Sequence, residues 1–253
     1  MISPQHPPKP FQGVFSTTKK MVIGTGVTKR KVEQTVYFFV EQHADNRLTM
    51  APLNQNMVPI SKTESISKDE LLSNYTPEPA VYLKKVLPQL KKLEEHVKRG
   101  EKLREKGALY TAEFEYKCAL SMAEDHVRGV FGLGLIYLER GDISGANMVF
   151  NKIITLDAAF GPDNKHLFND FGIRMRKSRM LEQAIRYYRR ALELCADDEN
   201  LLYNIARAYY ERGEFENAMA HGKKALGLNP DFDECHQLVL VAERGAAGNR
   251  IFL

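Results

Sequence analysis

Tryptophan is absent, cysteine occurs three times, and no apolar run reaches the roughly 20 residues of a membrane-spanning helix. The cysteines, Cys118, Cys195 and Cys235, are odd in number and widely spaced. That pattern gives neither a disulfide framework nor a metal-ligand spacing, and fits helix-packing thiols in a reducing compartment. The opening M-I-S-P-Q-H-P-P-K-P-F lacks the apolar core of a secretory signal. Together these features predict a cytoplasmic protein with no membrane partner. A large charge of one sign is also missing: 36 basic against 32 acidic residues leave +4. Residues 1–92 hold 13 basic and 7 acidic groups, a surplus of +6, and the rest is nearly balanced. This suits an acidic partner but falls short of a nucleic-acid footprint.

Catalytic signatures are missing as well. The seven histidines form no H-E-x-x-H pair and no cysteine–histidine cluster. No serine sits in a nucleophile elbow. Gly24-Thr25-Gly26 lacks the further glycines, lysine and βαβ setting of a phosphate loop, and reads as a turn. The expectation is a non-enzyme with no metal and no cofactor.

What is present is a repeat. Residues 199–232 run as two amphipathic helices around a glycine turn and end near Pro230. Their marker positions are Leu202, Ala206, Tyr209, Gly213, Ala218 and Ala225. The period is 34 residues. Residues 165–198 repeat it with Phe168, Gly172, Met175, Ala184, Tyr188 and Ala191. Residues 127–160 carry Gly134, Tyr137, Gly141, Ala146 and Phe150, and residues 93–126 carry Gly100, Gly107, Ala112, Tyr116 and Ala119. Small residues allow helices to approach closely, and large ones fill the gaps. A pair with an apolar face it cannot bury alone stacks on the next pair.

This length and placing resemble the tetratricopeptide repeat (TPR) family. The departures are Arg179 at the turn glycine of the third repeat, Gly222 at a place usually aromatic, and a terminal proline in the last repeat only. The resemblance implies a mainly α fold, a right-handed solenoid of antiparallel helix pairs whose first helices line a concave groove. Carrying the family's ligand-facing places onto this chain implies a peptide groove at Arg128, Phe131, Leu135, His166, Asn169, Ile173, Arg176, Lys177, Asn200, Tyr203, Arg207 and Tyr210, with Asn204 beside them. Arginine suits bidentate binding of carboxylates, asparagine bonds an extended backbone, and aromatics anchor. The implied partner is a protein segment, acidic or with a free C-terminus.

Around the repeats, four prolines make residues 1–18 a tail, and residues 19–75 read as a small antiparallel β region. Val32 to Val40 favours a strand with two apolar faces, and Leu48-Thr49-Met50 and Met57 to Ile60 suggest short ones. A helix over Lys68 to Ser73 is expected to be capped by Ser67. Residues 76–92 read as a lead-in helix from Pro79, kinked or split at Pro88. Residues 233–253 read as a closing helix stopped at Gly245 to Gly248, then a loose end with Ile251, Phe252 and Leu253. The leading functional expectation is an adaptor or scaffold that binds a peptide in the groove. The alternative is a self-associating structural protein, joined through the β region and the solenoid ends. A weaker third option is nucleic-acid binding through Lys19, Lys20, Lys29, Arg30 and Lys31.

Overall fold

The computed structural model describes residues 11–23, 29–43, 45–161, 164–194 and 197–250. The expectations for residues 1–10, the Gly24-Thr25-Gly26 turn, Cys195 and the Ile251-Phe252-Leu253 ending lie outside them. The chain divides into two compact units, Met1–Gly129 and Val130–Leu253.

The N-terminal unit is built on a five-stranded antiparallel sheet in the order β4-β3-β2-β1-β5. The strands are β1 (Gln12–Ile23), β2 (Arg30–Gln42), β3 (Leu48–Pro52), β4 (Glu64–Ile66) and β5 (Thr76–Pro77). Alternation sends neighbouring residues to opposite faces, and here both faces are apolar. Phe15, Phe38, Val40, Met50 and Ile66 pack with Leu71 of α1 (Lys68–Asn74). Val14 and Phe39 pack with Val86 on the other side. So β1 begins at Gln12, inside the segment expected to be a tail. The prolines that suggest a tail end at Pro10, and burial of Val14 and Phe15 on opposite faces holds the next residues in the sheet. Met57 to Ile60 makes only a single bridge, Leu53 to Pro59. Ser67 caps α1 by accepting a hydrogen bond from the Glu70 amide at 3.1 Å.

The lead-in helix is continuous rather than split. A short α2 (Pro79–Val81) passes through a π-turn over Tyr82–Val86 into α3 (Leu87–Glu105). Pro88 has no amide to donate and crowds the preceding turn, and the widened π-turn absorbs this. Helix α3 pairs with α4 (Leu109–Met122), forming the first repeat. The side-chain amides of Asn54 and Asn56 donate to the Met122 carbonyl at 2.8 and 3.1 Å, and Asn56 also reaches Ser121. Side chains from the sheet's loop thereby satisfy carbonyls that the end of α4 leaves open. The sheet is thus tied to the first repeat.

Helix α5 (Val127–Glu139) carries the division between the units. The C-terminal unit continues with α6 (Ile143–Ile153), a 3₁₀ turn at Asp157–Phe160, α7 (Lys165–Lys177), α8 (Leu181–Leu194), α9 (Glu199–Glu211), α10 (Phe215–Leu228) and α11 (Asp233–Arg250). α7 packs on α8, α8 on α9, α9 on α10 and α10 on α11. Small residues sit at the crossings. A Cβ on Gly172 would lie 2.5 Å from the Tyr188 ring and hydroxyl. α11 runs through Gly245, where the structure departs from the expected stop. A Cβ there would meet the Phe215 ring at 2.8 Å, so this glycine serves close packing, and Ala246 after it is buried.

The turn between the two helices of each repeat needs one residue at positive φ. Gly107, Gly141 and Gly213 adopt φ of 75°, 70° and 81°, and Arg179 adopts 62° at the equivalent place. A side chain is strained there by roughly 1–2 kcal/mol. The Arg179–Glu211 contact is long, 3.9 Å, and its arginine side chain is 71% exposed, so it offsets little. Arg179→Gly should therefore stabilise the protein by about 0.5–1 kcal/mol, after glycine's greater unfolded-state entropy is subtracted. A higher urea midpoint at unchanged m-value is the expected reading, and a lower one would refute it.

Candidate functional site

The inner faces of the first helices are where the resemblance places a groove, and the structure distributes those residues unevenly. In the N-terminal unit, Arg128 is held by two carboxylates of α3. Its guanidinium donates to Glu94 at 2.9 and 3.0 Å and to Glu101 at 2.8 Å. Burial works against the arginine's charge, but its hydrogen bonds to Glu94 and Glu101 outweigh that and raise its pKa. For Glu94 burial raises the pKa, and the bonds and charge of Arg128 turn the net shift downward. This is a satisfied intramolecular fork.

In the C-terminal unit, Phe131 and Leu135 are core residues, fully shielded, and Phe131 meets the Phe171 ring edge-on at 5.8 Å. The reason is local: α5 reads V-R-G-V-F-G-L-G-L-I-Y-L-E and is apolar on every side. A helix of that kind is buried all round and offers no free wall. These two residues therefore do not line an open groove.

Arg176 is 5% exposed and pairs with Glu211, linking α7 to α9. Asn204 is also buried. Asn169 and Ile173 on α7, and Tyr203, Arg207 and Tyr210 on α9, are half-buried, while His166, Lys177 and Asn200 are exposed. Tyr203 lies against Phe232 at 4.8 Å, and the Arg207 guanidinium lies over its ring at 5.5 Å. Tyr210 lies against Phe215 at 5.6 Å. The α7–α9 face is thus tied by Arg176 and Glu211, and the rings and guanidinium of Tyr203, Arg207 and Tyr210 are engaged within the chain.

Three buried polar atoms on α7 and α8 have no protein partner among the described residues: Asn169 Oδ1, Arg176 Nε and the Tyr188 hydroxyl. Burial raises the Tyr188 pKa, and the nearby charges of Arg176 and Arg207 only partly oppose it, so the phenol stays neutral. At the ends of α5 and α7, a cavity of about 150 Å³ is lined by Leu138, Glu139, Arg174, Lys177 and Ser178. That is below the ~300–1,000 Å³ of small-molecule pockets. Among the described residues, no group of three or more histidine, cysteine or carboxylate side chains could hold a metal. No described helix is long and apolar enough to cross a membrane.

Sequence reasoning named the β region as a surface for self-association but not its open strand edge. β2 is 13 residues long and β3 only 5, and β3 pairs with Phe38–Gln42 alone. β5 pairs with Phe15 and Ser16 alone. Beyond these neighbours β1 and β2 run on as a two-stranded ribbon, Thr17–Ile23 against Arg30–Val36. Among the described residues both outer edges of this ribbon are unpaired. The mismatch in strand length was the available signal.

A tetratricopeptide repeat family model matches residues 172–231, which covers α8, α9 and α10 and the later part of α7. No curated protein matches the chain by sequence. Among solved structures, the crystal structure of MamA protein is 22% identical, with 62% of this chain and 84% of that one covered and a TM-score of 0.49. MamA 41-end from Desulfovibrio magneticus RS-1 is 17% identical, covers 63% and 88%, and has a TM-score of 0.48. The pilF of Pseudomonas aeruginosa is 14% identical, covers 62% and 70%, and has a TM-score of 0.46. With its helix pairs, its small residues at the crossings and the family match over residues 172–231, the chain is a TPR-like repeat protein, mainly α, with a small N-terminal antiparallel β-sheet.

Proposed function

We propose that this protein is a non-catalytic protein–protein interaction module that associates with copies of itself. Helical repeat arrays present extended surfaces to other polypeptides and lack the strained loops that usually carry catalytic groups. The observation that carries the self-associating reading is the ribbon of β1 and β2. Unpaired strand edges are templates for another chain, and this ribbon has two. At the other end of the chain, α11 leaves Leu240 and Val241 exposed at 46% and 37%. Single exposed apolar residues are ordinary on any surface, so they are secondary to the open edges.

The groove reading is the second one, and its support is specific. Asn169 Oδ1 and Arg176 Nε on α7 are polar atoms without a protein partner among the described residues, and Arg207 and Tyr203 on α9 are half-buried. It stands behind because Arg128 and Arg176 already hold carboxylates of their own chain, and Phe131 and Leu135 belong to the core. An acidic peptide would have to displace Glu211 to reach Arg176.

Light scattering of the full chain over a concentration series separates the two. A mass that rises with concentration is expected. A monomer throughout the series would remove self-association and leave the α7–α9 face as the interaction site. In that case replacing Arg176 and Arg207 together by alanine should abolish partner recovery from the native host without changing the circular dichroism.

A further inference from the structure

We infer that the outer edge of β2, residues 31–35, pairs antiparallel with the same edge of a second copy, with Val32 on the two-fold axis. The inference rests on the self-association reading and names its surface and register. The Tyr37 carbonyl accepts from Leu53 on the β3 side, while the Gln42 amide donates to Phe11 on the β1 side. In an antiparallel strand each residue aims both backbone groups to one side, alternating along the chain. Lys31, Glu33 and Thr35 therefore present their N–H and C=O to the open edge. These residues are exposed, and β3 begins to pair only at Phe38.

Symmetry then limits the register. An isologous contact pairs residue i with j and j with i, and outward residues must meet outward residues. The axis must therefore fall on a residue. On Lys31 it sets lysine against lysine, and on Glu33 it sets glutamate against glutamate. On residue 34 it would bring Lys31 against Tyr37, whose carbonyl is already bonded. On Val32 it sets Lys31 opposite Glu33 of the second copy, twice, as two hydrogen-bonded pairs with opposite charges. Lys20 sits opposite Glu33 within the chain at 3.7 Å, so each row would read Lys20, Glu33, Lys31 of the second copy, alternating in sign. The β1 edge has no such solution: β1 carries adjacent Lys19 and Lys20 and no acid. Lysines of this kind guard an edge against its own copy. One edge is thus protected and the other self-complementary.

The register brings the two Val32 residues together as a non-hydrogen-bonded pair, with Cα atoms about 4.5 Å apart. That separation is within disulfide reach. The full-length Val32→Cys variant, oxidised at a concentration where light scattering shows association, should give a linked dimer. Wild type carries the native cysteines and provides the background. Glu33→Lys should weaken association about tenfold, since two opposite-charge pairs become like-charge pairs. Adding Lys31→Glu should restore it, and circular dichroism should be the same throughout. If wild type associates but Val32→Cys links no more than wild type and Glu33→Lys changes nothing, this edge is not the interface, although self-association stands. If wild type is monomeric at every concentration, both fall.

Discussion

Replacing Phe171 by alanine is expected to destabilise the C-terminal unit by about 3–5 kcal/mol. The ring is fully buried and lies edge-on to Phe131 at 5.8 Å and to Tyr187 at 5.5 Å. Through Tyr187 the cluster continues to Phe160 and Phe168. Gly134 is part of the same fit, because a Cβ there would lie 2.6 Å from the Phe171 ring. The cavity left by truncation therefore opens between α5, α7 and α8, where rigid rings surround it and cannot easily collapse. Domains of this size are stable by about 5–15 kcal/mol in total, so the loss is a large share. Repeat stacks are held by nearest-neighbour interfaces, and the damage should spread to α8 and α9 as lost hydrogen-exchange protection. A urea midpoint that moves by less than ~1 kcal/mol equivalent would show that this cluster does not hold the repeats together.

The repeats were legible because their packing rests on residue size at fixed places. Gly172 and Tyr188 are 16 positions apart, and the structure puts them in contact because one has no side chain and the other a long one. The turn glycines were legible for the same reason, and Arg179 keeps their backbone conformation without their chemistry. Misreadings arose where one residue type serves two ends. Gly245 reads as a helix stop in isolation, yet it is a contact residue because Phe215 lies against it. The candidate groove was legible only as a helix face. Family places pick out the inner side of each first helix, but not whether a neighbour covers it. For Phe131 and Leu135 the covering was written in α5 itself, whose apolar residues point all ways. For Arg176 it was not, since Glu211 lies on another helix 35 residues away. The open edge of β2 depended on how short β3 and β5 would be: the shortness of β3 showed in Leu48-Thr49-Met50, whereas the two-residue β5 left no trace in sequence.

Alkali should unfold this protein, and through its tyrosines rather than through ion pairs alone. Tyr116, Tyr187 and Tyr188 are each at most 1% exposed. Burial pushes the Tyr116 pKa up to about 12, with Glu101 adding to the rise and Arg104 and Arg128 opposing it. Burial also raises Tyr187 and Tyr188. In the unfolded chain a tyrosine ionises near pH ~10. A folded value above the unfolded one means that the unfolded state loses its proton first. Stability is then fully present below pH ~10 and falls as pH rises towards the folded value, by up to about 1.4 kcal/mol per pH unit for each such phenol. For Tyr116 the window runs from the ordinary value to about 12. The phenolate absorbance contributed by these three tyrosines should therefore appear in a cooperative step that coincides with loss of helical circular dichroism. Tyr188→Phe gives the control. It removes a hydroxyl that has no partner among the described residues, so neutral-pH stability should hold or rise, while the alkaline slope loses one group's share. Tyr187→Phe removes the same share of slope but also the bond donated to the Phe168 carbonyl at 3.1 Å, so it should be less stable than Tyr188→Phe at neutral pH. Equal neutral-pH stabilities for the two variants, or a difference in phenolate absorbance between wild type and Tyr188→Phe that develops before the helices melt, would show that these hydroxyls are not sealed in the repeat core.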